Sequence, residues 1–114
     1  MVWFFINQVT LSPSLKLLNL YRNNIESIPE SFGNLSSLEY LNIKFNPIQI
    51  LTDSVGNLTS LKKLNILKTN ITKLPETMLN LPNLEVVYID VFAIDKKIRD
   101  LLNDRGVEFE YMEY

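Results

Sequence analysis

The 114-residue sequence holds no cysteine and no histidine. Those two gaps remove most catalytic triads, the cysteine nucleophiles and the common zinc sites. Glycine is scarce, with three residues, and none forms a phosphate-cradling loop: the run that starts at Gly33 and ends at Ser37 lacks the Gly-Lys pair such a loop needs. Long apolar runs are also missing. Nothing approaches the ~20 apolar residues of a membrane-spanning helix. The early run from Val2 to Ile6 is too short for a secretory core and has no basic residue before it. Positive charge is not in excess: 11 Lys and Arg stand against 13 Asp and Glu, a net charge of −2. A nucleic-acid binder needs the opposite balance to displace counterions. The carboxylates are scattered rather than paired at a defined spacing. The composition therefore implies no enzyme, no cofactor, no metal, and neither nucleic acid nor membrane as partner.

What the chain does have is repetition. A step of 23 residues carries Leu15 to Leu38, Leu61 and Leu84, and Leu18 to Leu41, Leu64 and Val87. The same step links Leu20, Ile43, Ile66 and Ile89, then Ile25, Ile48, Ile71 and Ile94. Shorter columns run through Ile28, Leu51 and Leu74, through Phe32, Val55 and Met78, and through Leu35, Leu58 and Leu81. A fixed period in this range marks a solenoid, in which each unit buries its apolar face only against its neighbours. With 46% hydrophobic residues, a core of that kind can form, and residues 1–114 are expected to make a single domain.

Leu15, Leu18, Leu20, Asn23, Ile25, Ile28 and Pro29 resemble the unit L-x-x-L-x-L-x-x-N-x-L-x-x-L-P of the leucine-rich repeat family. The resemblance implies an α/β solenoid: a short right-handed coil with a parallel inner β-sheet, an irregular or short-helical outer wall, and a helix-plus-strand cap at the C-terminus. Strands are expected near residues 17–20, 40–43, 63–66 and 86–89, with a shorter one near 108–111. It also implies that Asn23 and Asn46 turn inward, where the amide supplies both donor and acceptor to backbone groups at the bend after each strand. Thr69 replaces part of that function and Phe92 none, so the regular bend should be lost near residue 92. Secreted relatives close their ends with disulfides, so the lack of cysteine favours a cytoplasmic setting.

Three segments divide the chain. Residues 1–14 read as an N-terminal half coil or cap, whose aromatics (Trp3, Phe4, Phe5) either shield the first coil or form an association surface. Residues 15–94 are the repeats, entered through a turn at Ser12-Pro13-Ser14. Residues 95–114 are the C-terminal cap. There Ile94, Ile98, Leu101 and Leu102 fall on one helical face, Asp95 is placed to cap the helix and Gly106 to stop it. The alternation Val107, Phe109, Tyr111 then reads as a last strand, with Glu108 and Glu110 guarding its edge. Three Asn-x-Ser/Thr sequons start at Asn34, Asn57 and Asn70, but the first two share one repeat column and read as outer-wall turns rather than glycan acceptors.

The candidate site is the concave face, made by the outward residues of each strand and bend. Tyr21, Arg22, Tyr40, Lys44, Phe45, Lys63, Leu67, Lys68 and Tyr88 are the residues expected to meet a partner, with Tyr40, Phe45, Leu67 and Tyr88 as an apolar patch inside a basic rim. Aromatics and arginine dominate binding energy at interfaces. The expected function is a non-catalytic protein-interaction module, monomeric or weakly self-associating through its ends. Two alternatives remain open: a structural or self-associating unit cut from a longer solenoid, and a piece of a ligand-sensing receptor ectodomain.

Overall fold

The computed structural model describes residues 12–90 and 94–111. The expected N-terminal half coil and the expected loss of the bend at Phe92 lie outside the described residues. Five strands form one parallel sheet in chain order: β1 (Leu17–Asn19), β2 (Tyr40–Asn42), β3 (Lys63–Asn65), β4 (Val86–Ile89) and β5 (Glu108–Tyr111). Leu17 pairs with Tyr40, Tyr40 with Lys63 and Lys63 with Val86, so the register follows the 23-residue step. All seven apolar columns point inward. Every member is buried except Leu15 and Leu18, which open the first coil and are half-buried. Fully burying one such side chain is worth about 1.5–3 kcal/mol.

Among the described residues the outer wall carries three 3-10 helices, Glu30–Asn34, Asp53–Asn57 and Glu76–Asn80. Each starts after an extended residue: Pro29 at φ −68°, Thr52 at −69°, Pro75 at −68°. Thr52 thus adopts the dihedral that proline fixes covalently. The walls stack closely because of glycine. A Cβ on Gly56 would lie 2.4 Å from Thr77 Cβ and 2.6 Å from the Thr77 carbonyl oxygen, whereas one on Gly33 would meet nothing nearer than 3.1 Å. The Thr77 hydroxyl crosses the same gap and donates to the Asp53 carbonyl at 2.7 Å.

The cap forms as the sequence predicts, with one difference. Helix α1 (Lys96–Asp104) starts at Asp95, whose Oδ1 accepts the Lys97 N–H at 2.9 Å, and ends before Gly106, which sits at φ +95°. Ile98 and Leu102 are buried, but Leu101 is 44% exposed. At ~100° per residue Leu101 lies about 80° from the centre of the Ile98–Leu102 stripe, beyond what this short helix covers. Strand β5 then pairs with β4, with Val87 opposite Phe109.

Asn46 joins the first two coils. Its Oδ1 accepts the N–H groups of Asn23 (3.0 Å) and Ile25 (2.9 Å), and its Nδ2 donates to the carbonyls of Leu20 (2.9 Å), Ile43 (2.9 Å) and Lys44 (3.2 Å). Thr69, one step on, donates to Ile66 at 2.8 Å and accepts from Ile71 at 3.4 Å, both within its own coil. The hydroxyl is too short to reach back.

Two substitutions test these packing statements. Asn46→Ala should cost about 1–3 kcal/mol or more, because it strands buried backbone groups; urea denaturation measures this, and an unchanged midpoint would show that the bend finds other partners. Gly56→Ala should lower the midpoint more than Gly33→Ala, since at Gly56 the new methyl meets backbone as well as side chain. Equal midpoints would mean the outer wall yields freely there.

Candidate functional site in the concave face

The concave face is set by how each strand stops. In the first three coils an asparagine ends the strand and folds its side chain forward. Asn19 Oδ1 accepts the Tyr21 N–H, Asn42 Oδ1 the Lys44 N–H and Asn65 Oδ1 the Leu67 N–H, all at 3.0–3.1 Å. These side chains mimic a backbone turn and take the chain out of the sheet. In the fourth coil the position is Tyr88, which cannot make that turn, and β4 runs one residue further to Ile89.

The next residues enter the left-handed region. Arg22 (φ 53°), Phe45 (φ 59°) and Lys68 (φ 55°) occupy one repeat column, 23 residues apart. For a residue with a Cβ this conformation costs roughly 1–2 kcal/mol. It is held by interstrand bonds: Arg22 N–H to the Lys44 carbonyl, Phe45 N–H to the Leu67 carbonyl, both at 3.0 Å. In the third coil the acceptor is instead a side chain, with Lys68 N–H donating to Asp90 Oδ2 at 2.8 Å.

This backbone brings Tyr21, Arg22, Lys44 and Phe45 together. The Tyr21 and Phe45 rings meet edge to face, centroids 5.6 Å apart and planes at 83°. The Arg22 guanidinium carbon lies 4.9 Å from the Phe45 centroid and 5.5 Å from that of Tyr21. Lys44 Nζ lies 5.7 Å from Phe45 and 6.0 Å from Tyr21. Two cations thus share one aromatic pair. Such contacts are worth about 0.5–1 kcal/mol each at exposed sites, and they hold positive charge over a surface where aromatic rings are half-exposed.

The other expected site residues are placed unevenly. Lys63 and Lys68 are exposed, while Tyr40 and Tyr88 are half-buried in strands, Tyr40 between Leu17 and Lys63, Tyr88 between Asn65 and Glu110. Leu67 departs from expectation: it is fully enclosed, at 0% exposure, and presents no surface to a partner. It follows the central one of the five described strands, where Asn65 is buried too, at 9%, as is Val86 on the next strand, at 7%. Residues at the edge of the sheet stay open, with Leu17 at 56% and Tyr21 at 42%. Phe45 therefore packs against Tyr21, which lies outside the expected apolar patch, and Leu67 drops out of that patch. That pairing is legible as a diagonal between neighbouring coils, since Tyr21 and Lys44 share a column and Phe45 follows. Among the described residues no group of three or more acidic side chains is placed to hold a metal, and no helix is long and apolar enough to cross a membrane.

The left-handed column gives a direct test. Lys68→Gly should be more stable than Lys68→Ala, because only glycine relieves the backbone cost while both remove the side chain. The expected gap is about 1 kcal/mol by urea denaturation; equal stabilities would mean that Lys68 carries no such strain.

Comparison with known proteins agrees with this architecture. A family model described as a leucine-rich repeat region matches residues 6–104. No curated protein matches the chain. Among solved structures, a leucine-rich repeat protein of Leptospira interrogans is similar in fold, with a TM-score of 0.61 at 22% identity. The match covers 87% of this chain but 32% of that one, so the present chain spans about a third of the length of its structural relative. The repeat register, the parallel sheet and the family match place the chain in the leucine-rich repeat family.

Proposed function

We propose that this chain is a non-catalytic protein-interaction module that takes a partner of acidic character on its concave face. The observation that carries the reading is the Tyr21–Phe45 ring pair with Arg22 and Lys44 beside it. Its residue types are those that concentrate energy at interfaces: rigid aromatic area with an arginine. Backbone strain in the same column supports the reading, because left-handed non-glycine residues cluster where a side chain must be presented in one direction. Lys63 and Lys68 extend the basic surface along the third coil. Membership of a repeat family whose scaffolds serve recognition points the same way. A cytoplasmic setting belongs to this proposal and rests on the cysteine-free composition.

The test compares two faces of the scaffold. With a partner isolated by crosslinking to the intact protein, Tyr21→Ala and Phe45→Ala should each weaken binding about thirtyfold, the equivalent of roughly 2 kcal/mol. Glu30→Ala and Asp53→Ala, on the outer wall, should leave affinity within a factor of two or so. Lys63→Ala should act mainly on the association rate and its salt dependence. Greater loss from the outer-wall pair would move the site off the concave face.

A further inference from the structure

Charge is sorted across the concave sheet. The register places Leu17, Tyr40, Lys63, Val86 and Glu108 in one row, and Asn19, Asn42, Asn65, Tyr88 and Glu110 in the next. The bends add Tyr21, Lys44, Leu67 and Asp90, then Arg22, Phe45 and Lys68. Over the first three coils this surface carries four basic residues (Arg22, Lys44, Lys63, Lys68) and no acidic one. Over the last two strands and the bend after β4, the described residues include three acidic ones (Asp90, Glu108, Glu110) and no basic one.

Asp90 meets the basic group directly, its Oδ2 accepting the Lys68 N–H at 2.8 Å, whereas Glu108 and Glu110 stand apart from Arg22, Lys44 and Lys63. From β3, which carries Lys63, to β5 is two strand spacings, roughly 10 Å, and from β2 it is three, roughly 14 Å, against a screening length of about 8 Å at physiological salt. Between Lys63 and Glu108 stands Val86, and between Asn65 and Glu110 stands Tyr88. Glu108 and Glu110 are exposed. Because strand side chains alternate, both project to the side opposite Phe109, which packs on the core. Guarding the sheet edge explains why β5 is charged, but not why the whole face divides by sign.

We infer that the concave face recognises a bipolar protein segment, its acidic block over Arg22, Lys44 and Lys63 and its basic block over Glu108 and Glu110. The inference rests on the concave-face reading above and adds the orientation. A partner carrying both blocks fits in one sense along the sheet. The reversed sense sets like charges against each other at both ends, which costs affinity and suppresses wrong registers.

Three synthetic peptides test it: triglutamate, trilysine, and the two blocks joined by Gly-Gly, each titrated into the full chain labelled with 15N. Triglutamate should shift the amides around Arg22, Lys44 and Lys63, and trilysine those of β5. The joined peptide should bind about tenfold more tightly than triglutamate, since the second block binds at the raised local concentration set by the linker. Glu108→Lys with Glu110→Lys should abolish that advantage and leave the triglutamate shifts around Arg22, Lys44 and Lys63 in place. Lysine also blocks edge pairing, so the double variant keeps the edge guarded and a sizing column should show the oligomeric state of the parent. A joined peptide no tighter than triglutamate, or an advantage that survives the double substitution, would overturn the bipolar inference and leave concave docking standing. Shifts confined to the outer wall for all three peptides would overturn both.

Discussion

A coil that turns back on itself must bury peptide groups that the sheet can no longer satisfy, and everything else in this structure depends on how those groups are paired. Within the strands the parallel ladder does the work. At the bends it cannot, because successive N–H and C=O groups leave the plane of the sheet. An unpaired buried backbone group costs about 1–3 kcal/mol, a large fraction of the 5–15 kcal/mol that keeps a domain folded. Asn46 satisfies two donors and three acceptors around one such bend, reaching into the preceding coil to do so. Among the described residues no buried side-chain polar atom is left without a partner.

The same bends make the surface that a partner would meet. Asn19, Asn42 and Asn65 end the strands, the left-handed residues redirect the chain, and the inward amide of Asn46 locks the first two coils. The outward side chains are consequently aimed by backbone geometry, and Tyr21, Arg22, Lys44 and Phe45 also pack on one another. Tyr21 and Phe45 meet because neighbouring coils repeat one bend, and Arg22 and Lys44 follow because they flank those rings in sequence. Scaffold and candidate site are thus two faces of one device. The hydrophobic columns supply most of the stabilisation, and the polar bends supply the shape.

Much of the fold could be read from the residues because it depends on a period. The columns named by counting are the ones buried, and β1 to β4 lie where the step puts them. The Asp95 cap and the Gly106 stop were legible because their chemistry is local. What escaped depends on neighbours that a sequence does not display. Leu67 looks outward by its column yet is enclosed in the middle of the sheet, while Tyr21, in the same column at the edge, is open. Leu101 fits the helical pattern but lies beyond the packed stripe. Asn19, Asn42 and Asn65 recur at the 23-residue step, but only their contacts with the N–H two residues on show that they turn the chain. Gly56 is ordinary in sequence, and only the approach of Thr77 shows why nothing larger fits. Of the candidate site, the residue types were read from the sequence, but the Tyr21–Phe45 grouping was not, although the diagonal between neighbouring coils signals it.

The dependence of the scaffold on the Asn46 bend can be measured in the native protein by amide hydrogen exchange. The N–H groups of Asn23 and Ile25 lie outside any strand and donate to a single side-chain oxygen. If that oxygen organises the fold, both amides open only with the body of the coil and exchange as slowly as the amides of β2 and β3. Exchange at the rate of exposed loop amides would show that the bend frays on its own, and would contradict the account.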